Sequence, residues 1–470
     1  MHEQTKEITE IILKAKARAI KATSHEPEPE FSKPISWPVN CTVGPGLEGA
    51  IACETKIGYV NGAKGWLIYR GYNIFDLCAY ATFEEVSYLL MYGYLPSKSQ
   101  LSAFNKKLIQ YRNMHHTKRL LMSFPIEKMH PMAGLRLGTN LMRQEFTDAD
   151  RADYTSNLAK IISADEDSIP METKPMGEQH AIYEFKQSQR EKIIKEDLKH
   201  ASGFESCFHL LAGVATLTGA ISRLRQGALP IENDASLSFA ANLIYTMTGI
   251  RPTPIEERIM DVSLILHADH GMNASTFASM VVASTLSDVY ISVGAGIAAL
   301  QGPLHGGANE RVIEMLNEIG SVENVKPWFE KKRAKKEKVM GFGHRVYKAY
   351  DPRALVLGPL AKFMTKGNNK SKKLFQIAQA LEKEVVTTLG KEKKIFPNVD
   401  FYSGIVYASM GIPAELYTPI FAVSRVAGWT ARVQEYMQNN RIFRPRSMYT
   451  GNFDKEFIPI NKRGTQKKSK

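Results

Sequence analysis

Cysteine is scarce and scattered. Cys41, Cys53, Cys78 and Cys207 are the only four in 470 residues, and no two form a Cys-x-x-Cys pair. This excludes a disulfide-stapled scaffold and suits reduced thiols in a cytoplasm-like compartment. Long unbroken apolar runs are also lacking. The most apolar stretch, Val281 to Leu300, is interrupted by Asp288, Gly294, Gly296 and several serines. It reads as buried helix and not as a membrane span. The first residues carry no apolar core segment of the kind a secretory signal needs. Lys14 to Lys21 is basic and could be helical, but Glu3, Glu7 and Glu10 are out of place in a mitochondrial transit peptide. The expectation is a cytoplasmic protein with no membrane partner.

A broad basic surface is missing as well. The formal net charge is +13. Lys331 to Lys338 contributes a net +5, and the tail from Asn461 to Lys470 another +5, so ten of the thirteen charges sit in two short runs. The rest is nearly neutral. A nucleic-acid partner is not expected, because such proteins spread Lys and Arg over a face or a helix. Both runs also read as plain solvated charge.

What is present is an ordinary globular composition, 44% apolar and 23% charged, in a chain long enough for two or three domains. Residues 1–34 read as an extension. Ile8, Ile11, Ile12 and Leu13 suit one or two amphipathic turns, and the prolines of His25-Glu-Pro-Glu-Pro-Glu-Phe31 suit a linker. Ala50 to Tyr59 and Trp66 to Tyr72 flank a Gly-rich turn at 61–65, a hairpin signal. From Thr82 the pattern is helical. Asp234 is a candidate cap for a helix with Phe239, Leu243 and Met247 on one face. Pro254 opens another, and further helices should stop near Gly320 and Gly390. The polar stretch 165–189 reads as a surface excursion. The fold class is mostly α with a small N-terminal β region.

Three segments could carry chemistry. In Gln301-Gly-Pro-Leu-His-Gly-Gly-Ala-Asn-Glu310, His305 stands at the start of a helix, whose dipole disfavours imidazolium. A neutral histidine there could donate to a developing oxyanion. Met340-Gly-Phe-Gly-His-Arg-Val-Tyr-Lys348, followed by Asp351-Pro-Arg353, joins a histidine to two arginines whose forked donors match carboxylates. In Phe396-Pro-Asn-Val-Asp-Phe-Tyr-Ser-Gly404, Asp400 stands just before a helix, where the dipole favours carboxylate. Such a carboxylate with a neutral histidine suits proton removal next to a carbonyl. Taken singly, each piece has a structural reading: a turn with a core histidine, a helix cap, a surface ion pair. His267 and His270 have metal-compatible spacing but no third ligand in a recognisable pattern.

Taken in order, the three segments resemble the citrate synthase family. So do His267-Ala-Asp-His-Gly-Met-Asn-Ala-Ser-Thr276 upstream, and Val423-Ser-Arg-Val-Ala-Gly-Trp429 and Arg444-Pro-Arg-Ser447 downstream. The resemblance runs from about Val43 to Gly451. It implies a helical homodimer with a citrate synthase-like two-domain fold: a large domain over 35–304 and 412–470, and a small domain over 305–411. The implied reaction condenses acetyl-CoA with oxaloacetate, water then releasing citrate and CoA. By the same resemblance Asp400 is the base, His305 stabilises the enol or enolate, and His344 polarises the ketone. His270, Asn273, Arg353, Arg425 and Arg444 would hold oxaloacetate, Arg444 reaching over from the partner subunit. Arg345 and Lys348 would meet the CoA phosphates, with the basic run 331–338 a further contributor on charge alone. No metal or redox cofactor is implied. The alternatives are 2-methylcitrate synthase, using propionyl-CoA, and a non-catalytic or nucleic-acid-binding relative.

Overall fold

Three short antiparallel strands open the main body, in the order β1-β2-β3: Gly58–Asn61, Trp66–Tyr69 and Tyr72–Asn73. The computed structural model describes residues 3–27, 37–143, 204–366, 369–452 and 457–462; the polar stretch 165–189 lies outside them. The expected hairpin is present, but its first strand is confined to Gly58–Asn61 and pairs with Trp66–Tyr69. Asn61 closes the turn by accepting the Lys64 N–H at 2.9 Å. The carbonyl of Gly62 accepts the N–H of Lys348 at 2.9 Å, so the turn abuts the segment after His344.

Beyond the strands the described chain is mainly helical, and helix starts are legible in local chemistry. Thr82, Ser97 and Thr253 each form a reciprocal capping box with the Glu or Gln three residues on. Pro254 opens Pro254–His267, as expected. Ala308–Ile319 stops at Gly320. Asn369–Val385 continues through a π-type turn, Val386–Gly390, into Lys391–Lys393, so it does not stop at Gly390 as expected. Three more expectations are corrected. Ser238, and not Asp234, caps Phe239–Thr248; Asp234 instead pairs with Arg251. The apolar stretch 281–300 spans the end of one helix and all of another. Asp288 splits it by capping Val289–Leu300 after Ala274–Ser284 has ended. The N-terminal extension forms a 17-residue helix, Lys6–Ala22, with Ile8 and Ile12 fully buried, because it packs against Ile74–Tyr80 and Pro352–Met364.

The core is organised around two long helices, Phe204–Arg225 and Tyr417–Met437, each buried along most of its length. Among the described residues, Phe204–Arg225 is long and apolar enough to cross a membrane, yet 89% of its apolar window is buried inside the protein, as in a core helix. Tyr417–Met437 packs on Phe83–Tyr92, Phe204–Arg225, Pro254–His267, Ala274–Ser284 and Val289–Leu300. A second group, Ala308–Ile319, Val325–Ala334, Pro352–Met364, Asn369–Val385 and Val399–Ser409, packs mainly on itself.

Gly428 is where the central helix comes closest to the turn after His267. A methyl group there would lie 2.3 Å from the Ala268 carbonyl oxygen and 3.1 Å from an Asp269 carboxylate oxygen. A backbone atom cannot swing aside, so the helix or the turn must shift. Gly428→Ala should lower stability by about 1–3 kcal/mol, the usual cost of overpacking, read by denaturant unfolding. An unchanged unfolding midpoint would show that the contact yields freely.

Candidate active site

A cleft of about 1890 Å³ is lined by the 270–277 turn, the 303–311 segment, the 340–346 loop and the 398–400 helix start, with Arg353, Arg425 and Arg432 projecting into it. Backbone pairing sets its floor. Gly343 N–H donates to Phe396 O at 2.8 Å, and Asn398 N–H to Gly341 O at 2.9 Å. Gly341 adopts φ +78°, and a side chain there would strike the Phe401 ring at 2.8 Å. This glycine lets the histidine loop lie flat against the helix that carries Asp400.

All three cleft histidines are neutral. Burial first, then Arg425 and Arg353, hold His305 at about 4. His344 is also held at about 4 by burial, with Arg353 and Lys348 adding and Asp351 opposing. His270 lies well below its ordinary value through burial, then Arg353, His344 and Arg425. The neutrality expected of His305 holds, but its cause differs: the nearby helix begins only at Ala308, and desolvation dominates.

Hydrogen bonds also fix which nitrogen carries the proton in one of the rings, His344. His305 Nε2 lies 2.8 Å from Ser275 Oγ and 3.3 Å from Ser275 N, so Ser275 anchors that nitrogen. The Val346 and Tyr347 N–H groups donate to His344 Nδ1 at 3.0 and 3.1 Å, leaving the proton on Nε2. His270 Nε2 lies 3.1 Å from Tyr347 Oη, and the His270 and His344 rings meet edge to face at 5.1 Å.

The charged residues divide into paired and unpaired. Arg353 is not a surface ion-pair partner. It is buried and doubly bonded to Asp351, Nε at 3.0 Å and Nη2 at 2.8 Å. Burial opposes its charge, but Asp351 raises its pKa. Arg432 makes the same two-pronged pair with Asp269, at 2.7 and 2.8 Å. Arg425 is different. Its Nε donates to the His267 carbonyl at 2.6 Å and it stands over the Phe421 ring at 4.7 Å. It has no carboxylate within 4 Å among the described residues, and burial pulls it down to about 10.

Asp400 departs from expectation twice. It is the second residue of Val399–Ser409, and Asn398 is the cap, accepting the Asp400 N–H at 3.1 Å. Its carboxyl is not favoured as carboxylate. Burial pushes it up to about 7 against Arg353 and Arg425, and Oδ1 is buried without a hydrogen-bond partner among the described residues.

The cleft thus gathers His270, Asn273, His305, His344, Arg353, Asp400 and Arg425, and Arg345 at its rim. Asn273 caps Ala274–Ser284, its Oδ1 accepting from Thr276 N at 3.1 Å and Ser275 Oγ at 2.7 Å. Exposed Arg345 lies 3.3 Å from Glu48. Lys348 is exposed and does not line the cleft, whereas Arg333, Lys336 and Lys338 of the basic run do. Arg444 does not line this cleft; it lines an adjoining depression with Trp37, Tyr436 and Phe443, and Tyr59 borders both. His267 donates to its own helix, Nδ1 to Ser263 O at 2.7 Å.

The model for "Citrate synthase, C-terminal domain" matches residues 46–446. The chain belongs to the citrate synthase family. It is 39% identical to a citrate synthase of Acidithiobacillus ferridurans over 425 residues, 89% of this chain and 98% of that one. It is 40% identical to citrate synthase 2 of Bacillus subtilis over 423 residues, with the same coverage. The crystal structure of citrate synthase from Pyrobaculum aerophilum aligns at TM-score 0.73 and 37% identity, covering 92% of this chain and all of that one. That of Thermoplasma acidophilum, solved as a ternary complex with carboxymethyl coenzyme A and oxaloacetate, aligns at 0.75 and 30%, covering 90% and all. The chain is accordingly an enzyme of acyl-transfer condensation with a mostly α fold.

Several groups of this citrate synthase-family site escaped sequence reasoning. Ser275 Oγ lies 2.8 Å from His305 Nε2 and receives the Trp429 indole N–H at 3.3 Å. Tyr347 and the Asp269–Arg432 pair likewise gave no signal, because their partners lie far away in sequence. Asp351 could have been found, since Asp-Pro-Arg is a cap followed by a proline at the first helical position.

Asp400 generates a pH prediction. Its folded pKa of about 7 exceeds the ordinary 3.8, so its ionisation in place destabilises the fold progressively from about pH 4 to pH 7. Asp400→Asn should therefore be more stable than the parent at pH 8, by a few kcal/mol at most, since each tenfold change in proton affinity is worth about 1.4 kcal/mol. The advantage should shrink towards pH 5. Denaturant unfolding at both pH values tests this; an equal effect at both would show that Asp400 is not a desolvated carboxyl.

Proposed function

We propose that this protein is a citrate synthase in activity, condensing acetyl-CoA with oxaloacetate. The observation that carries this reading is the cleft's charge arrangement: a buried Arg425 with no carboxylate within 4 Å among the described residues, acting on neutral His270 and His305, with neutral His344 carrying its proton on Nε2. A substrate with two carboxylates and a ketone supplies the missing negative charge and the oxygen for those donors. Arg425, Arg353, His270 and Asn273 hold oxaloacetate, and His344 Nε2–H polarises its ketone.

Asp400 takes a proton from the acetyl methyl group, while neutral His305 donates to the thioester oxygen that gains charge. The resulting enol or enolate attacks the ketone carbon. Water then cleaves the thioester, releasing citrate and CoA. A base near 7 is matched to neutral pH, and the main electrostatic task falls to the enolate oxygen's donor. Arg345, Lys348 and the cleft-lining part of the basic run suit the CoA phosphates. No metal or redox cofactor enters this scheme.

The reading extends to assembly. Residues 305–411 form the small domain, which closes on the large domain of 35–304 and 412–470, in a cytoplasmic homodimer. Arg444 lies outside its own cleft, as a residue serving the partner's site must.

Three measurements test the proposal. Release of free thiol should be rapid from acetyl-CoA with oxaloacetate and slower from propionyl-CoA; the reverse preference would make the protein a 2-methylcitrate synthase. One added methylene is worth only ~1–3 kcal/mol in an apolar pocket, so the comparison must be quantitative. Asp400→Asn should lose several orders of magnitude in turnover and still bind oxaloacetate. A mixed dimer of Asp400→Asn and Arg444→Ala subunits, purified on two tags, should recover about half the parent activity on independent sites. An inactive mixed dimer of normal mass would place Arg444 in a within-chain role.

A further inference from the structure

Two phenols converge on one carboxylate behind the cleft. Glu382, half-buried on Asn369–Val385, accepts Tyr350 Oη–H on Oε1 and Tyr402 Oη–H on Oε2. Tyr350 immediately precedes Asp351, the carboxylate that grips Arg353. Tyr402 lies two residues after Asp400 on the same helix. We propose that Glu382 is a positioning residue: by bridging Tyr350 and Tyr402, it fixes the segment that carries Arg353 against the helix that carries Asp400. The inference rests on the reading of Asp400 as base and Arg353 as a substrate carboxylate ligand.

The setting supports a geometric role. Tyr350 stacks near Phe396 at 4.8 Å, just before the loop that leads to Asp400. Tyr402 is buried and packs where Pro352–Met364 has Gly358 in place of a side chain, a methyl there falling 3.2 Å from the ring. Arg18 of the N-terminal helix stands 5.9 Å over the Tyr350 ring, on a segment outside the family match. Both phenols are held above their ordinary pKa, by burial first and then by Glu382, so both stay protonated donors. Glu382 does not itself line the cleft. It governs the distance between the group that takes the proton and the group that holds the second substrate. Misplacement on the ångström scale is costly to a condensation that needs both aligned.

The test compares Glu382→Ala and Glu382→Gln with the parent in steady-state assays with acetyl-CoA and oxaloacetate, with unfolding midpoints alongside. Folded Glu382→Ala should lose about tenfold or more in kcat and bind oxaloacetate more weakly. Glu382→Gln keeps one acceptor oxygen and offers an amide N–H to the other phenol, and should stay within about threefold of the parent. A merely structural residue would lower the midpoint of Glu382→Ala and leave kcat and KM of the folded fraction unchanged, which would overturn the proposal. Should Glu382→Ala not fold, Tyr402→Phe removes one arm only; parent-like kcat and KM in that variant would equally overturn it. Asp400→Asn is run in parallel. If it is inactive while Glu382→Ala is normal, positioning fails and the base assignment stands. If Asp400→Asn turns over normally, the assignment beneath the proposal fails.

Discussion

Removing ionised groups from water obliges them to find partners or give up their charge, and the cleft is built around that constraint. Asp351 neutralises Arg353, and Asp269 neutralises Arg432, each through two-pronged bonds among buried atoms. His270, His305 and His344 resolve the conflict by staying neutral. Asp400 resolves it by moving to about 7. Arg425, buried beside these pairs, keeps a charge with no carboxylate within 4 Å among the described residues. One arrangement of burial therefore supplies neutral donors, a base of moderate strength and a place for an anion.

The fold imposes this arrangement through a few close approaches. The central helix Tyr417–Met437 carries Arg425 and Arg432 on its buried side, and Gly428 lets it meet the 267–270 turn. The turn then presents His270, and Asn273 starts the next helix, whose first N–H groups reach both Asn273 and His305. Across the cleft, the antiparallel contact of 341–343 with 396–398 seats His344 beside the Asp400 helix. Ser275 sits between these parts, touched by Asn273, His305 and Trp429.

Much of this was legible in the sequence, for identifiable reasons. Pro254 and Gly320 are local signals, and they place helix ends correctly. The residues gathered in the cleft come from short, Gly-rich motifs whose order resembles one family. What failed was tertiary. Asp234 has the right chemistry for a cap, but Ser238 is nearer the helix start. The N-terminal helix is buried by packing on Ile74–Tyr80 and Pro352–Met364, partners far away in sequence. Helix-dipole reasoning gave the right charge state for His305 and the wrong one for Asp400, because burial outweighs the dipole at both. No sequence signal could show that Tyr350 and Tyr402 share Glu382, since helix packing alone unites them.

The central claim is that burial keeps the cleft histidines neutral. Nitrogen NMR of histidine-labelled protein, titrated from pH 8 to 5 without ligand, tests it directly. Neutral rings throughout, with His344 protonated on Nε2, are the expected result. Titration of His305 or His344 near the ordinary 6.5, or a His344 proton on Nδ1, would contradict the account.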